Sequence, residues 1–313
     1  MSAMLSAFRT LTRRTTCAAY ASQTTAPAST TIGLPEQAGW GTEVNNQVFM
    51  ARLRRPLHPL ESHRIFNIHT YRHDLLHMAD HHGVLSHVIA NILWAHLCGE
   101  RESQVLPGDT IDQRLRFLND DVKAFYTTHH VQNRLPPFKE DNIKRGSFPM
   151  LQGRNVKAAN TRSFVPYVLA LQQRATRENN SAKNRHMLKV AASVSGMLDV
   201  LYNADCFLAE TERIALTDHI DRLARHYQKL SADAFLAQRT LWQAIPKFHF
   251  VIGHLAQQAA LINPTWVQGY SSESMVGTTA QIYAMSQNGP FHSRVQKTVM
   301  NKYRIGLRLL MEN

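Results

Sequence analysis

The sequence predicts a mainly α-helical, multi-helix protein, and three observations carry that prediction. From residue 73 to residue 311 apolar side chains recur at helical spacing. Glycine (14) and proline (12) are few in 313 residues and sparse after residue 35, which argues against a turn-rich β architecture. Finally, 44% of the residues are hydrophobic, enough for a sizeable core.

The N-terminus stands apart. It has no acidic residue before Glu36, three arginines (Arg9, Arg13 and Arg14), and twelve serines and threonines through Thr31. Met4, Leu5, Phe8 and Leu11 can share one helical face, with the arginines elsewhere. This is the composition of a mitochondrial transit peptide, with a disordered, hydroxyl-rich tail as the alternative. Residues 1–45 are therefore set apart from a basic, mainly helical body at 46–313.

Residues 46–60 read as extended or irregular, with Pro56 and Pro59. The segment "RIFNIHTY" (64–71) is the one strand candidate: short, β-branched and aromatic. A helix is expected from His73 to about Leu97, with Leu75, Leu76, Val84, Leu85, Val88, Ile89, Ile92, Leu93 and Trp94 at helical spacing and a kink at Gly83. Asp109 can cap a helix running to about His129, with Ile111, Leu115, Leu118, Val122, Phe125 and Tyr126 inward. Pro136 and Pro137 end that unit, and a polar connection occupies 137–155. Helices are then expected at about 157–175, 182–204, 210–230, 232–244, 247–262, 272–286 and 291–311. No internal repeat or sustained heptad pattern is present.

The net charge of +12 points to a polyanionic partner, nucleic acid first and an anionic membrane surface second. Residues 1–45 carry three arginines and two glutamates, so the body keeps +11 of that charge. Cys17, Cys98 and Cys206 are odd in number and far apart, which fits a reducing compartment and neither a disulfide framework nor a zinc pattern. No stretch reaches the roughly 18 consecutive apolar residues of a membrane span, so an integral membrane protein is not expected. Phosphate-loop, dinucleotide-binding, His-Glu-x-x-His, Cys-x-x-Cys and nucleophile-elbow motifs are missing, which weighs against the common nucleotide-, zinc- and serine-dependent enzymes.

The densest chemistry lies in "YRHDLLHMADHHG" (71–83), where Asp74 sits among His73, His77, His81 and His82. On a helix, His73, His77 and His81 would share a face. Two turns span roughly 12 Å at 1.5 Å per residue, so all three cannot reach one ion, although an i, i+4 pair can. No metal or other cofactor is expected.

Three segments together resemble a known group: "HDLLHMADHHGVLSHVIANILW" (73–94), "FPMLQGRNVKAANTRSFVPYVLALQQR" (148–174), and "LWQAIPKFHFVIGHLAQQAALINPTWVQGYSSESMVG" (241–277) with "VMNKYRIGLRLLM" after it. Their order and spacing are similar to transposon-derived proteins abundant in some protists. Those proteins in turn resemble the C-terminal part of DDE transposases of the CACTA and Plavaka kind. The resemblance implies an RNase H-like ancestry with a long helical insertion, and a small remnant of that sheet near 64–71. It matches Asp74 to the second catalytic acid and Glu273 to the third. Strand cleavage needs three carboxylates holding two divalent cations about 3.5–4 Å apart. No Asp precedes Asp74, and the upstream acids Glu36, Glu43 and Glu61 lie in no strand–turn setting. The resemblance therefore implies a degenerate, non-catalytic remnant, with Asp74 and Glu273 as remnant positions.

The expected function is a non-catalytic, RNA-associated structural protein of the mitochondrial matrix, a component of the mitochondrial ribosome, with rRNA and neighbouring proteins as partners and no small-molecule substrate. Arg52, Arg54, Arg55, Lys139, Lys144, Arg145, Arg154, Lys157 and Arg162 are the densest candidate phosphate contacts. Two alternatives stay open. One is a DNA-binding protein derived from a DDE transposase or nuclease. The other is an accessory subunit of a mitochondrial membrane complex.

Overall fold

A computed structural model describes residues 73–98, 105–153, 155–270 and 301. The chain divides into two units, Met1–Val267 and Gln268–Asn313, and every element below belongs to the first. The strand candidate at 64–71 and the helices expected at 272–286 and 291–311 lie outside the described residues, apart from a helical Asn301. Of the described residues 68% are helical and none is in a strand, so the protein is mainly α over the part described.

The elements are a π-helical turn at Leu76–Asp80, then α1 (Val84–Leu97), α2 (Ile111–Thr128), α3 (Glu140–Ile143), α4 (Ala158–Ser163), α5 (Val165–Glu178), α6 (Ala182–Asn203), α7 (Glu210–Leu236), α8 (Pro246–Ala259) and a 3₁₀ turn at Pro264–Val267. Helix α1 is the axis of the fold. Its sequence is apolar nearly all round, and each of its residues is buried, as expected of a helix packed on every side. The π turn, α2 to α6 and α8 all touch it. Its buried polar groups have partners inside the bundle. Asn91 donates to the His87 carbonyl at 2.8 Å and accepts from the Trp242 backbone N–H at 2.7 Å. His96 Nε2 meets Gln172 Oε1 at 3.1 Å, and Gln172 in turn donates to the Asn184 carbonyl at 3.2 Å. The buried Arg114 closes the C-terminal end of α1, donating to the Leu97 carbonyl at 2.8 Å and to the Gly108 carbonyl at 2.9 Å.

The single helix expected from His73 to Leu97 is instead interrupted at residues 81–83. Helix α2 starts one residue later than predicted: Thr110, not Asp109, is the cap. The Thr110 hydroxyl accepts from the Gln113 N–H at 3.2 Å, and the Gln113 side chain accepts in return from the Thr110 and Asp109 N–H groups at 3.3 and 2.7 Å. Leu118, Val122 and Tyr126 are fully inward, while Ile111, Leu115 and Phe125 are half-buried at the margin. The helix predicted at 157–175 divides at Phe164 into α4 and α5. Pro166 begins α5, where its missing N–H leaves no hydrogen bond unmade. The two helices predicted over 210–244 are one to Leu236, followed by a turn in which Gln238 and Trp242 hold positive φ of 52° and 54°.

Helices α6 and α7 form the most extensive interface. They approach closely where Gly196 faces His219: a Cβ on Gly196 would lie 2.2 Å from the His219 ring. The α7–α8 contact is built on Tyr227, with its ring centroid 4.2 Å from Phe248 and 5.4 Å from Trp242, and its hydroxyl donating to the Gln243 carbonyl at 2.8 Å. The buried Asn263 ties the chain after α8 to the end of α6, donating to the Leu201, Ala204 and Asp205 carbonyls at 2.8 to 3.2 Å.

Candidate functional site

Asp74, His77, His81 and Asp80 lie in or beside the π turn, which packs against α8, the helix that carries Lys247. Asp74 stands at the start of the turn and does the work of a cap. Its Oδ1 accepts from the Leu76 N–H at 3.1 Å, and its Oδ2 lies 2.6 Å from His77 Nδ1. Its carbonyl accepts from the His77 and Met78 N–H groups at 3.1 and 3.0 Å. The turn closes with the His81 N–H on the Leu76 carbonyl at 2.7 Å, the five-residue spacing of a π turn.

After that bond the chain must reverse. His81 is extended, His82 takes a positive φ of 49°, and Gly83 is extended again at the start of α1. Lys247, in the first turn of α8, reaches across and donates to the His82 carbonyl at 2.9 Å and the His81 carbonyl at 3.3 Å. Burial lowers the Lys247 pKa from its ordinary value. The lysine is thus a charged clamp on carbonyls left open at the end of a helical turn.

The histidines divide into two groups rather than lining one face. His73 precedes the helical turn and is bracketed by Gln258, which accepts from its N–H at 3.0 Å and donates to its carbonyl at 3.1 Å. Its ring lies 4.5 Å from Phe250 and 5.4 Å from His254. His254 and His249 face each other, Nε2 to Nε2, at 3.0 Å. Burial, and then the neighbouring His254, lower both His73 and His249 to about 4, and burial lowers His254 as well. On the other side, the His81 ring is 4.3 Å from His82 and 6.1 Å from His77. His87, in the first turn of α1, is lowered to about 4 by burial, then by Lys247 and His82, with a backbone hydrogen bond to Pro149 opposing. An imidazole with a pKa near 4 is a weak base at neutral pH, poorly matched to proton transfer. His73, His87 and His249 are thus packed, neutral groups. Among the described residues no set of three or more His, Cys, Asp or Glu is arranged to hold a metal ion.

Asp80, fully buried at the end of the π turn, faces Arg162 of α4: Nη1 to Oδ2 is 3.4 Å. Arg162 also donates to the Tyr202 hydroxyl and lies 4.1 Å from the Tyr202 ring centroid. Replacing Arg162 with Met leaves a buried carboxylate without this cation and is expected to cost about 3 kcal/mol. Chemical denaturation would measure the loss. The double variant Asp80→Asn, Arg162→Met should recover part of it, and full stability in the single variant would contradict the pairing.

The remaining predicted residues fall in different places. Lys139 and Lys157 are exposed at the starts of α3 and α4, and Arg145 is exposed between them. Lys144 is half-buried, with Nζ 5.0 Å from the Trp94 ring centroid, a cation–π contact. Arg162 is drawn inward to Asp80, as described. Arg52, Arg54, Arg55, Arg154 and Glu273 lie outside the described residues. The sequence reading missed Lys247, Asp80, His249 and His254. For Lys247, His249 and His254 the signal was "PKFHFVIGH" itself, and Asp80 stood within "YRHDLLHMADHHG", but nothing local shows which segment such a side chain will meet.

Compared with known protein families, curated proteins and solved structures, the chain matches none.

Proposed function

We propose that this chain is a non-catalytic, RNA-associated structural protein of the mitochondrial matrix and a component of the mitochondrial ribosome, built on a transposase-derived domain. The observation that carries the reading is how the fold uses its charges. The half-buried Asp74 and the buried Asp80 are engaged in holding the turn and helices together, whereas Lys139, Arg145 and Lys157 stand on the surface of a chain with net charge +12. Lysine and arginine of that kind bind phosphate without reading bases, and such binding weakens steeply with salt. The acid-free, arginine-bearing N-terminus supports a mitochondrial address.

Density-gradient sedimentation of mitochondrial lysate tests this directly. The chain should co-migrate with a ribosomal subunit and leave it after ribonuclease treatment. Recovery in chromatin would favour the transposase-derived DNA-binding reading, and recovery only in detergent-extracted membrane would favour a membrane-complex subunit; either result overturns the proposal. Purified protein with labelled DNA or RNA in magnesium or manganese should leave the substrate intact. Cleavage abolished by both Asp74→Ala and Glu273→Ala would overturn the non-catalytic part.

A further inference from the structure

Helices α6 and α7 carry a band of cations unrelated to the residues singled out from the sequence. Two contacts fix their register. His186 Nδ1 of α6 lies 2.9 Å from His226 Nδ1 of α7, and Gly196 of α6 faces His219 of α7. Moving forward along α6 therefore means moving back along α7, and the two helices run antiparallel. Lys189, one turn after His186, and Arg222, one turn before His226, lie on the same side of the histidine pair. Arg225 and Lys229 flank His226 on α7, and Arg185 flanks His186 on α6. Arg185, Lys189, Arg225 and Lys229 are all exposed.

The sequence of both helices is one-sided here. Residues 182–198 of α6 contain no acid, nor do residues 222–232 of α7. The nearest acids stand outside the band. Asp218 is ion-paired with Arg222, Asp221 lies one turn before Arg225, and Asp233 lies one turn beyond Lys229. The field in the seam agrees with this layout: the His226 pKa is lowered first by burial and then by His186, Lys189, Arg225 and Arg222, all of them basic.

We propose that the α6–α7 seam around His186 and His226 is a docking face for the sugar–phosphate backbone of RNA, with Arg185, Lys189, Arg225 and Lys229 as its phosphate contacts. This rests on the RNA-associated reading above and adds the face that makes the contact. From Arg222 to Lys229 the band runs about 10 Å along α7 at 1.5 Å per residue. Over that length a nucleic-acid strand, at about 3.4 Å per phosphate, presents about three charges. One histidine ring of the pair donates Nδ1–H to the other, and the ring that accepts keeps its Nε2–H as a further donor for a phosphate oxygen. A lipid surface fits less well, because the band carries no large exposed apolar side chain to enter it: those on α7 are Ile214, Phe235 and Leu236, nearer its two ends.

The test is fluorescence anisotropy of the full chain with a short labelled RNA duplex over a range of salt. Arg185→Gln, Lys189→Gln, Arg225→Gln and Lys229→Gln are combined in one variant; all four positions are exposed, so the fold should be kept, as circular dichroism would verify. The control neutralises four exposed cations elsewhere: Arg116→Gln, Lys123→Gln, Arg134→Gln and Arg177→Gln. The seam variant should bind RNA about tenfold or more weakly, with a salt slope shallower by about two to three, while the control loses less than about threefold. Equal losses in the two variants, or no loss in the seam variant, would overturn this face while leaving the RNA-associated reading in place. Failure of the wild-type chain to bind any RNA would overturn both. Wild-type binding to phosphatidylserine vesicles, weakened by the seam variant while RNA binding is not, would assign the face to a membrane instead and overturn the proposal.

Discussion

Acidification from pH 7 to pH 5 is expected to lower the melting temperature by about 8–16 °C, well above the range where carboxylates titrate. His73, His87 and His249 each have a pKa lowered from 6.5 to about 4, with burial the largest cause. In the unfolded chain the same imidazoles protonate near 6.5. Between those values the unfolded state binds more protons than the folded one, so stability rises with pH there. The contribution is therefore complete above 6.5 and is lost as pH falls toward 4. Each histidine contributes up to about 1.4 kcal/mol per pH unit inside the window. His249 and His254 share one contact and titrate as a pair. Partial exposure of His73 and His249 weakens the effect further, so roughly 4 kcal/mol between pH 7 and 5 is a fair size. For a chain of this length each kcal/mol moves the midpoint by about 2–4 °C. Thermal melts at several pH values, with proton uptake on unfolding measured beside them, check the prediction. A melting temperature that stays level from pH 7 to 5 would mean that these rings take up protons in the fold as readily as in the unfolded chain.

The fold was legible in the sequence where one helix decided its own fate. Helix α1 is a long apolar run, and its burial on all sides follows from that composition. Helix α6 keeps its predicted limits almost to the residue, because Ser181 is a good cap: its hydroxyl accepts from the Asn184 N–H at 3.1 Å. Where two signals competed, the choice lay with side-chain geometry. Asp109 and Thr110 can each cap a helix, and the Gln113 side chain settles it by bonding back to both backbone N–H groups. The break at Phe164 had a local sign in Pro166, which suits a helix start, but the apolar periodicity runs straight through it. The end predicted near residue 230 had no glycine or proline behind it, and α7 continues through Ser231.

The site was less legible, because its geometry is tertiary. Helical spacing correctly neighbours His77 and His81, with ring centroids 6.1 Å apart. It cannot show that His73 leaves that face for Phe250 and His254, 177 and 181 residues further along the chain. Nor can it show that the π turn ends on carbonyls held by Lys247. Asp74 was singled out for chemistry, and its geometry is that of a helix start. A short polar side chain ahead of an apolar run fits both roles equally well in one dimension.

Gly83→Ala is expected to be the most damaging single-methyl change in the described part of the chain. Gly83 has ordinary extended φ, so its importance is space rather than conformational freedom. A Cβ there would sit 2.2 Å from the Met78 carbonyl oxygen and 2.5 Å from the Ala79 carbonyl oxygen. Both obstacles are backbone, so no rotamer change relieves the overlap, and the π turn itself has to move away from α1. That motion pulls His81 and His82 off Lys247, which is seated in the first turn of α8. It also shifts Leu75, Ala79 and Asp80, which are fully buried, and so disturbs the Arg162 pairing. Several contacts are lost for one methyl group, and a cost of about 4 kcal/mol follows, at the high end for a point substitution. That corresponds to a fall of about 8–16 °C in melting temperature. His82→Gly serves as the local control. It removes a side chain from a residue with φ of 49°, where glycine is at no steric disadvantage, and so should cost far less than Gly83→Ala. Differential scanning calorimetry of the two variants decides the matter: a Gly83→Ala protein as stable as its parent would mean that the turn does not pass so close beneath α1.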